Sequence, residues 1–89
     1  MERKHVFIYG RVQGVGFRFG VERAANARCV SGWVRNRPDG AVEAVFEGEP
    51  DDVEAVVAFC RQGPRGADVE RVDVRSESPE GLAGFHVAG

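Results

Sequence analysis

Much of what common functional classes require is scarce in this chain. Among its 89 residues are two cysteines, two histidines and, within 12 basic residues, the single lysine Lys4. Cys29 and Cys60 have no further thiol at metal-ligand spacing, so both are expected to be reduced and buried, with a disulfide as the minority alternative. His5 and His86 stand outside any cluster of carboxylates or thiols; no metal site is expected, and neither histidine is given a catalytic part. No apolar run approaches the roughly 20 residues that span a bilayer, and no basic start leads into an apolar stretch. The expectation is a soluble, unexported, cytoplasmic protein. Nor is there a basic excess. A formal net charge of −2 and an isoelectric point near 5.6 argue against a general polyanion binder. The length admits one domain, 1–89, with one two-layer core and no cofactor-binding domain, so no cofactor is expected.

Arginine replaces lysine almost throughout, and that habit alone says nothing about phosphate recognition. Position is more informative. Arg11, Arg18, Arg35 and Arg37 fall around two loops, whereas acids crowd Asp51–Asp52 and the stretch from Asp68 to Glu80.

Periodicity gives the elements. Lys4 to Gly10 is a β-branched and aromatic run that reads as a first strand. From Phe17 to about Ala27, Phe17, Gly20/Val21 and Ala24/Ala25 recur at helical spacing with Glu22, Arg23 and Arg28 opposite. Val30 to Asn36 forms a second strand. Pro38-Asp39-Gly40 is a turn, and Ala41 to Glu47 alternates Val42, Ala44 and Phe46 with Glu43, Val45 and Glu47, so these strands form a hairpin. Pro50 and two acids open a second helix, whose buried stripe is Val53, Val56, Val57 and Cys60. Gly63-Pro64 stops it, Val69 to Arg75 makes a fourth strand, and Gly84 to Val87 a short closing one. The order β-α-β-β-α-β predicts a ferredoxin-like α+β fold: two helices on one face of a four- to five-stranded antiparallel or mixed sheet, with strands one and three central.

The segment Gly10–Arg18, GRVQGVGFR, joins the first strand to the first helix. Gly14 and Gly16 can take backbone angles closed to other residues, so successive N–H groups can turn toward one point. The helix opening at Phe17 adds unpaired N–H groups and the positive end of its dipole, and Arg18 can lay a planar fork on a bound oxyanion. The loop lacks the Lys-Ser/Thr pair of a P-loop and the glycine order of a dinucleotide fold. A small phosphate ester or anhydride is therefore favoured over a nucleotide. A second segment, Gly32–Gly40, GWVRNRPDG, places Asn36 just before the hairpin turn. Taken alone, an asparagine there reads first as turn chemistry.

Together, GRVQGVGFR and the following GWVRN with its Pro-Asp-Gly turn resemble the acylphosphatase family. The likeness extends over essentially the whole chain, including strand order, the Gly-Pro stop and a terminal Gly-Phe-x-Val strand. It implies metal-free hydrolysis of the carboxyl-phosphate anhydride to carboxylate and inorganic phosphate. By their places in the motifs, Gln13, Gly14, Val15, Gly16, Phe17 and Arg18 would form the phosphate cradle, Arg18 would bind phosphate, and Asn36 would position the attacking water. The expected partner is a small acyl phosphate, with phosphate or sulfate able to occupy the site, and no nucleic acid or membrane. Arg11, Arg35 and Arg37 are read as surface or field-shaping residues, and Trp33 as sheet packing. The carboxylate leaving group, whose acid has a pKa near 4, needs no general acid, so the absence of a catalytic His, Cys or carboxylate from the motifs is expected.

The chain departs from the family pattern at Arg28-Cys29-Val30. The glycine suited to a left-handed helix cap is missing there, and Cys29 is open to being partly exposed. Two other functions compete. A non-catalytic carbamoyl- or acyl-phosphate-binding module is one, because similar domains occur in larger carbamoyl-transferring maturation proteins; the end at Gly89 without zinc-binding cysteines favours the free-standing hydrolase. An RNA-binding sheet is the other, and the acidic charge and missing aromatic-glycine motif count against it. A monomer is expected.

Overall fold

Val6 and Ile8 alternate with His5, Phe7 and Tyr9, a period-two pattern that turns one face of a strand inward and leaves the other free. In the computed structural model, which describes residues 1–89, this strand is β1 (Glu2–Arg11). It is followed by α1 (Phe17–Ala27), β2 (Ser31–Asn36), β3 (Val42–Gly48), α2 (Pro50–Gln62), β4 (Asp68–Glu77) and β5 (Phe85–Ala88). The sheet order is β4-β1-β3-β2-β5, antiparallel except for the parallel β2–β5 pair, so β1 and β3 lie inside as expected. This is the βαββαβ arrangement of a ferredoxin-like fold.

Register explains the core. Val6 and Val34 both pair with Ala44, and Ile8 with Val42, so these residues share one face and receive the helices. Phe17, Val21 and Ala25 from α1 and Val53, Val56, Val57 and Cys60 from α2 close over them, all buried. Each fully buried Val, Ile or Phe contributes roughly 1.5–3 kcal/mol of transfer free energy. β1 and β4 each run ten residues, beyond the spans expected from apolar content. Their extra residues are polar ends that pair with one another, Arg3 with Glu77 and Arg11 with Asp68.

Glu43, Val45 and Glu47 lie on the face of β3 turned away from the helices, where an antiparallel sheet commonly meets water, yet all of β3 is buried. That second face is covered by a charged layer instead of by water. The Glu47 side chain, 1% exposed, accepts Arg3 Nη1 at 2.7 Å and the main-chain amides of Glu80, Gly81 and Leu82. Burial alone would raise its pKa; the Glu80 amide, Arg3 and the other two amides outweigh burial and hold it at about 2. Glu43 faces His5 Nε2 at 2.6 Å and Arg35 at 2.7 Å, and Glu77 receives Arg3 at 2.8 Å and faces His5 Nδ1 at 2.8 Å. Burial opposes the ionised form of Glu43, but His5 and Arg35 more than compensate and lower its pKa; Arg3 and His5 do the same for Glu77.

One expectation needs correction: Cys29 is exposed rather than buried. It sits just past α1 with φ 55°, the only non-glycine residue of the chain at positive φ. Its amide donates to Asn26 O and that of Val30 to Ala25 O, at 3.2 and 2.9 Å. These bonds complete a Schellman cap, with Val30 and Ala25 packed in the core. The cap forms despite the missing glycine, and the cysteine bears the left-handed geometry. Cys60 is buried as expected, and burial pushes its thiol up to about 12.

Candidate active site

β1 ends at Arg11 and α1 begins at Phe17, and the five residues between form a loop at one end of the sheet. Gly14 and Gly16 have φ of 75° and 76°. Gly16 is also the N-cap of α1, with no side-chain cap bond, and no acidic residue occupies the first turn. Nothing lies within 4 Å of a Cβ placed on either glycine, so the requirement is one of backbone angle rather than space. The amides of Gly14, Val15 and Gly16 donate to no acceptor in the protein. Those of Phe17, Arg18 and Phe19 begin the helix and have no intrahelical partner. The loop is therefore a run of unspent donors at the positive end of a helix dipole.

Side chains on either flank brace it. Gln13 Nε2 donates to the main-chain oxygens of Arg37 and Ala41 at 2.8 and 3.0 Å, tying the loop to the β2–β3 hairpin. Val15, on the other side, packs half-buried against the core. Neither side chain lines the cavity beside the loop. That cavity, of about 230 Å³, is lined by Val12, Gly14, Gly16, Phe17, Arg18, Phe19 and Asn36. The structure thus gathers Gly14, Gly16, Phe17, Arg18 and Asn36 from the expected set, and gives Gln13 and Val15 a bracing part through their side chains.

Asn36 comes from the far end of β2. It pairs with Val42 and shares the helix-side face with Val34, which directs it toward α1. The turn chemistry that its position resembled is carried out by another residue: Asp39 Oδ1 accepts the amide of Ala41 at 3.0 Å, and Arg37 and Ala41 close the hairpin through their main chains. The Asn36 side-chain amide makes no hydrogen bond within the protein, so its donor and its acceptor are both unpaired at a residue that lines the cavity. Arg18 is held at one corner. Its Nη1 donates to the main-chain oxygens of Ala88 and Gly89, at 3.3 and 3.0 Å, which leaves the rest of the guanidinium fork free.

The other arginines behave differently. Arg35 pairs with Glu43, and Arg37 with Asp39 at 3.2 Å and Glu43 at 3.5 Å. Both lie on the charged layer and not at the cavity. Trp33 shares that layer, its ring edge-on to His5 at 5.9 Å, as its reading as a packing residue anticipated. Two cavity residues escaped the sequence reading. Val12 is sealed at 1% exposure, whereas Phe19 is 59% exposed. Its signal was available: an aromatic residue off the Phe17–Val21–Ala25 stripe and adjacent to Arg18.

Comparison with known proteins agrees with this geometry. The acylphosphatase family model matches residues 4–87. An acylphosphatase of Thermococcus kodakarensis is 59% identical over 87 residues, covering 98% of this chain and 96% of the relative. The crystal structure of acylphosphatase from Bacillus subtilis superposes with a TM-score of 0.97 at 36% identity, covering 100% of both chains. Full-length HypF in its phosphate- and nucleotide-bound form matches with a TM-score of 0.92 and 28% identity, over 99% of this chain but only 12% of HypF. With a glycine loop, an arginine and an asparagine meeting at one cavity, and relatives matched end to end, the chain belongs to the acylphosphatase family, enzymes that hydrolyse acyl phosphates.

Proposed function

We propose that the amides of the Gln13–Arg18 loop and the guanidinium of Arg18 hold the phosphoryl group, and that Asn36 holds the attacking water. The observation that carries this reading is the shared cavity: Arg18 and Asn36, from α1 and β2, line it together with the two left-handed glycines. A phosphate dianion matches a site whose donors are unspent and whose only charged wall residue is cationic. Water held in line by the Asn36 amide attacks phosphorus, and the bond from phosphorus to the bridging oxygen breaks. The acyl group leaves as a carboxylate, which needs no proton because its acid has a pKa near 4. A phosphate oxygen takes the proton of the water, since asparagine is a poor base, and dihydrogen phosphate results. Phosphoryl transfer of this kind draws mainly on positioning and on charge stabilisation, which the amides and Arg18 provide.

We place the reaction in a cytoplasmic monomer acting on a small acyl phosphate. The two free thiols fit a reducing compartment. The sheet face that an RNA-binding relative of this fold would use is spent on internal pairs. Arg71 stacks on Tyr9 at 4.3 Å and Arg75 on Phe7 at 5.1 Å, while Glu43 and Glu47 occupy the central strand.

Hydrolysis of benzoyl phosphate tests the assignment. Arg18→Ala lowers kcat/KM by about 10³-fold or more. Asn36→Ala lowers kcat by about 10²-fold and leaves inhibition by inorganic phosphate within about twofold. Retained hydrolysis in purified, folded Arg18→Ala protein overturns the assignment.

A further inference from the structure

Phe19 is out of place by the rules that govern the rest of the chain. Its only companion among exposed large hydrophobic residues is the terminal Met1; Phe19 is 59% exposed although it sits within an ordered helix. At about 100° per residue it is turned roughly 200° from Phe17, away from the stripe that seals α1 to the sheet. Such a helix face is ordinarily polar. Nothing in the packing of the fold accounts for a phenyl ring there.

Its surroundings do. Phe19 helps form the wall of the cavity that holds Arg18, Gly14, Gly16 and Asn36. The other large apolar residues of that wall, Val12 and Phe17, are only 1% and 2% exposed and have no surface left to offer a ligand. All usable apolar area at the site therefore belongs to one ring. The guanidinium carbon of Arg18 lies 6.0 Å from the centroid of that ring. An acyl phosphate anchored by its phosphoryl group on the Arg18 fork extends from phosphorus, through one bridging oxygen, to the acyl carbon. Its substituent then begins within reach of the phenyl ring.

We propose that Phe19 is the platform for the acyl group, and that the site favours acyl phosphates of flat, apolar carboxylic acids, aromatic ones above all, over those with small or charged acyl groups. This rests on the assignment of Arg18 to the phosphoryl group. The phosphoryl end is common to every acyl phosphate and carries no discrimination; the ring is what distinguishes one acyl group from another. A platform that touches only the acyl group grips substrate and transition state alike, because the reacting phosphorus is elsewhere. Phe19 thus acts through KM and not through kcat.

Steady-state kinetics with benzoyl phosphate and acetyl phosphate test the proposal in the intact protein and in Phe19→Ala and Phe19→Leu. The wild type shows the lower KM for benzoyl phosphate. Phe19→Ala raises that KM about 5–10-fold, the size of an aromatic contact, with kcat unchanged. KM for acetyl phosphate and the inhibition constant of inorganic phosphate both stay within about twofold, and Phe19→Leu falls between. Thermal unfolding serves as the folding control: alanine at an exposed helix position keeps or slightly raises stability. Equal effects on both substrates, or none on either, overturn the platform and return Phe19 to the class of scattered surface apolar residues. A wild-type protein that hydrolyses neither substrate fails at the phosphoryl assignment instead, so the two failures are distinguishable.

Discussion

Arg18 and Arg3 carry the same charge on opposite sides of the sheet, and their partners could hardly differ more. Arg3 is spent: its side chain is 9% exposed and meets Glu47, Glu77 and Glu80. Arg18 meets no Asp or Glu side chain, only the main-chain oxygens of Ala88 and Gly89. The loop beside Arg18 repeats the contrast, with amides that have no acceptor, whereas the Glu47 carboxylate accepts three amides and an arginine. One side of the molecule balances its polar groups internally and becomes structure. The other leaves main-chain and arginine donors without protein acceptors beside a cavity, the arrangement on which the proposed phosphate site rests. Unspent hydrogen-bonding capacity separates the two, and net charge does not.

The sharpest way to break this comparison is to disturb the balanced side. Removing the Glu47 carboxylate leaves Arg3 buried with one partner gone and three amides unanswered. Glu47→Ala is expected to cost about 3–5 kcal/mol by urea unfolding. The folded fraction keeps its activity on benzoyl phosphate within about threefold, because the cavity is built by other residues. Arg18→Ala shows the mirror image, with activity lost and the unfolding midpoint little moved. If both variants lost both properties together, the division into a structural and a functional side would be wrong.

Acid sharpens the same division. Glu47 has an ordinary value of 4.5 and is held at about 2 in the folded protein. A depressed carboxylate adds stability that is fully present above its unfolded pKa and disappears as pH falls through the folded one. The window therefore runs from about pH 4.5 down to about pH 2, and Glu47 alone accounts for about 3 kcal/mol across it. Glu43 and Glu77, also lowered, add to the slope in the same direction. Stability of Glu47→Gln, followed by urea titration at a series of pH values, should be lower at neutrality and visibly flatter through this window. An unchanged slope would mean that the acid lability arises elsewhere.

What the sequence disclosed follows the same line. Strand order, both helices and the meeting of the glycine loop with Asn36 were readable because period and turn chemistry are local, and the motifs carry their own spacing. Whether a polar residue is spent was not readable, because its partner lies far along the chain. The sequence gives no sign of what Glu47 meets, since its amide donors come from residues 80–82, more than 30 positions away. Asn36 taken alone read first as turn chemistry, although the Pro38-Asp39-Gly40 turn follows it; which of Asn36 and Asp39 bonds the turn amide is settled only by geometry, and it is Asp39. Arg18 was already set apart from Arg35 by its place at the helix start, and register shows where each goes: Arg35 lies opposite Glu43, and Arg18 sits on a helix at the cavity.

A smaller effect probes the loop itself. Gly16 has open space where a Cβ would go, so Gly16→Ala meets no clash and reports only the φ of 76°. A non-glycine residue there costs about 1–2 kcal/mol of folding stability, or the backbone relaxes to avoid that cost. Relaxation moves the unpartnered amides, and kcat/KM for benzoyl phosphate is expected to fall about 10-fold or more. Loss of stability with full activity would show that the donors need no such alignment.

The smallest effect lies at the helix cap, where the left-handed position falls to a cysteine. Cys29 keeps the Schellman bonds to Asn26 and Ala25 while holding φ at 55°, a region that disfavours a side chain with a Cβ. Glycine adopts it without that penalty, and the thiol is exposed, so its removal sacrifices little packing. Glycine also gains freedom in the unfolded chain, which offsets part of the relief. Cys29→Gly is therefore expected to stabilise the protein by up to about 1 kcal/mol, read as a higher urea midpoint at unchanged m-value, with kinetics on benzoyl phosphate unaltered. The native protein should label at one thiol and not two, since Cys60 is buried with its thiol pushed up to about 12. A destabilised Cys29→Gly would mean that the side chain contributes more at this cap than its exposure indicates, and that the strain of the left-handed residue is already relieved by the bonds around it.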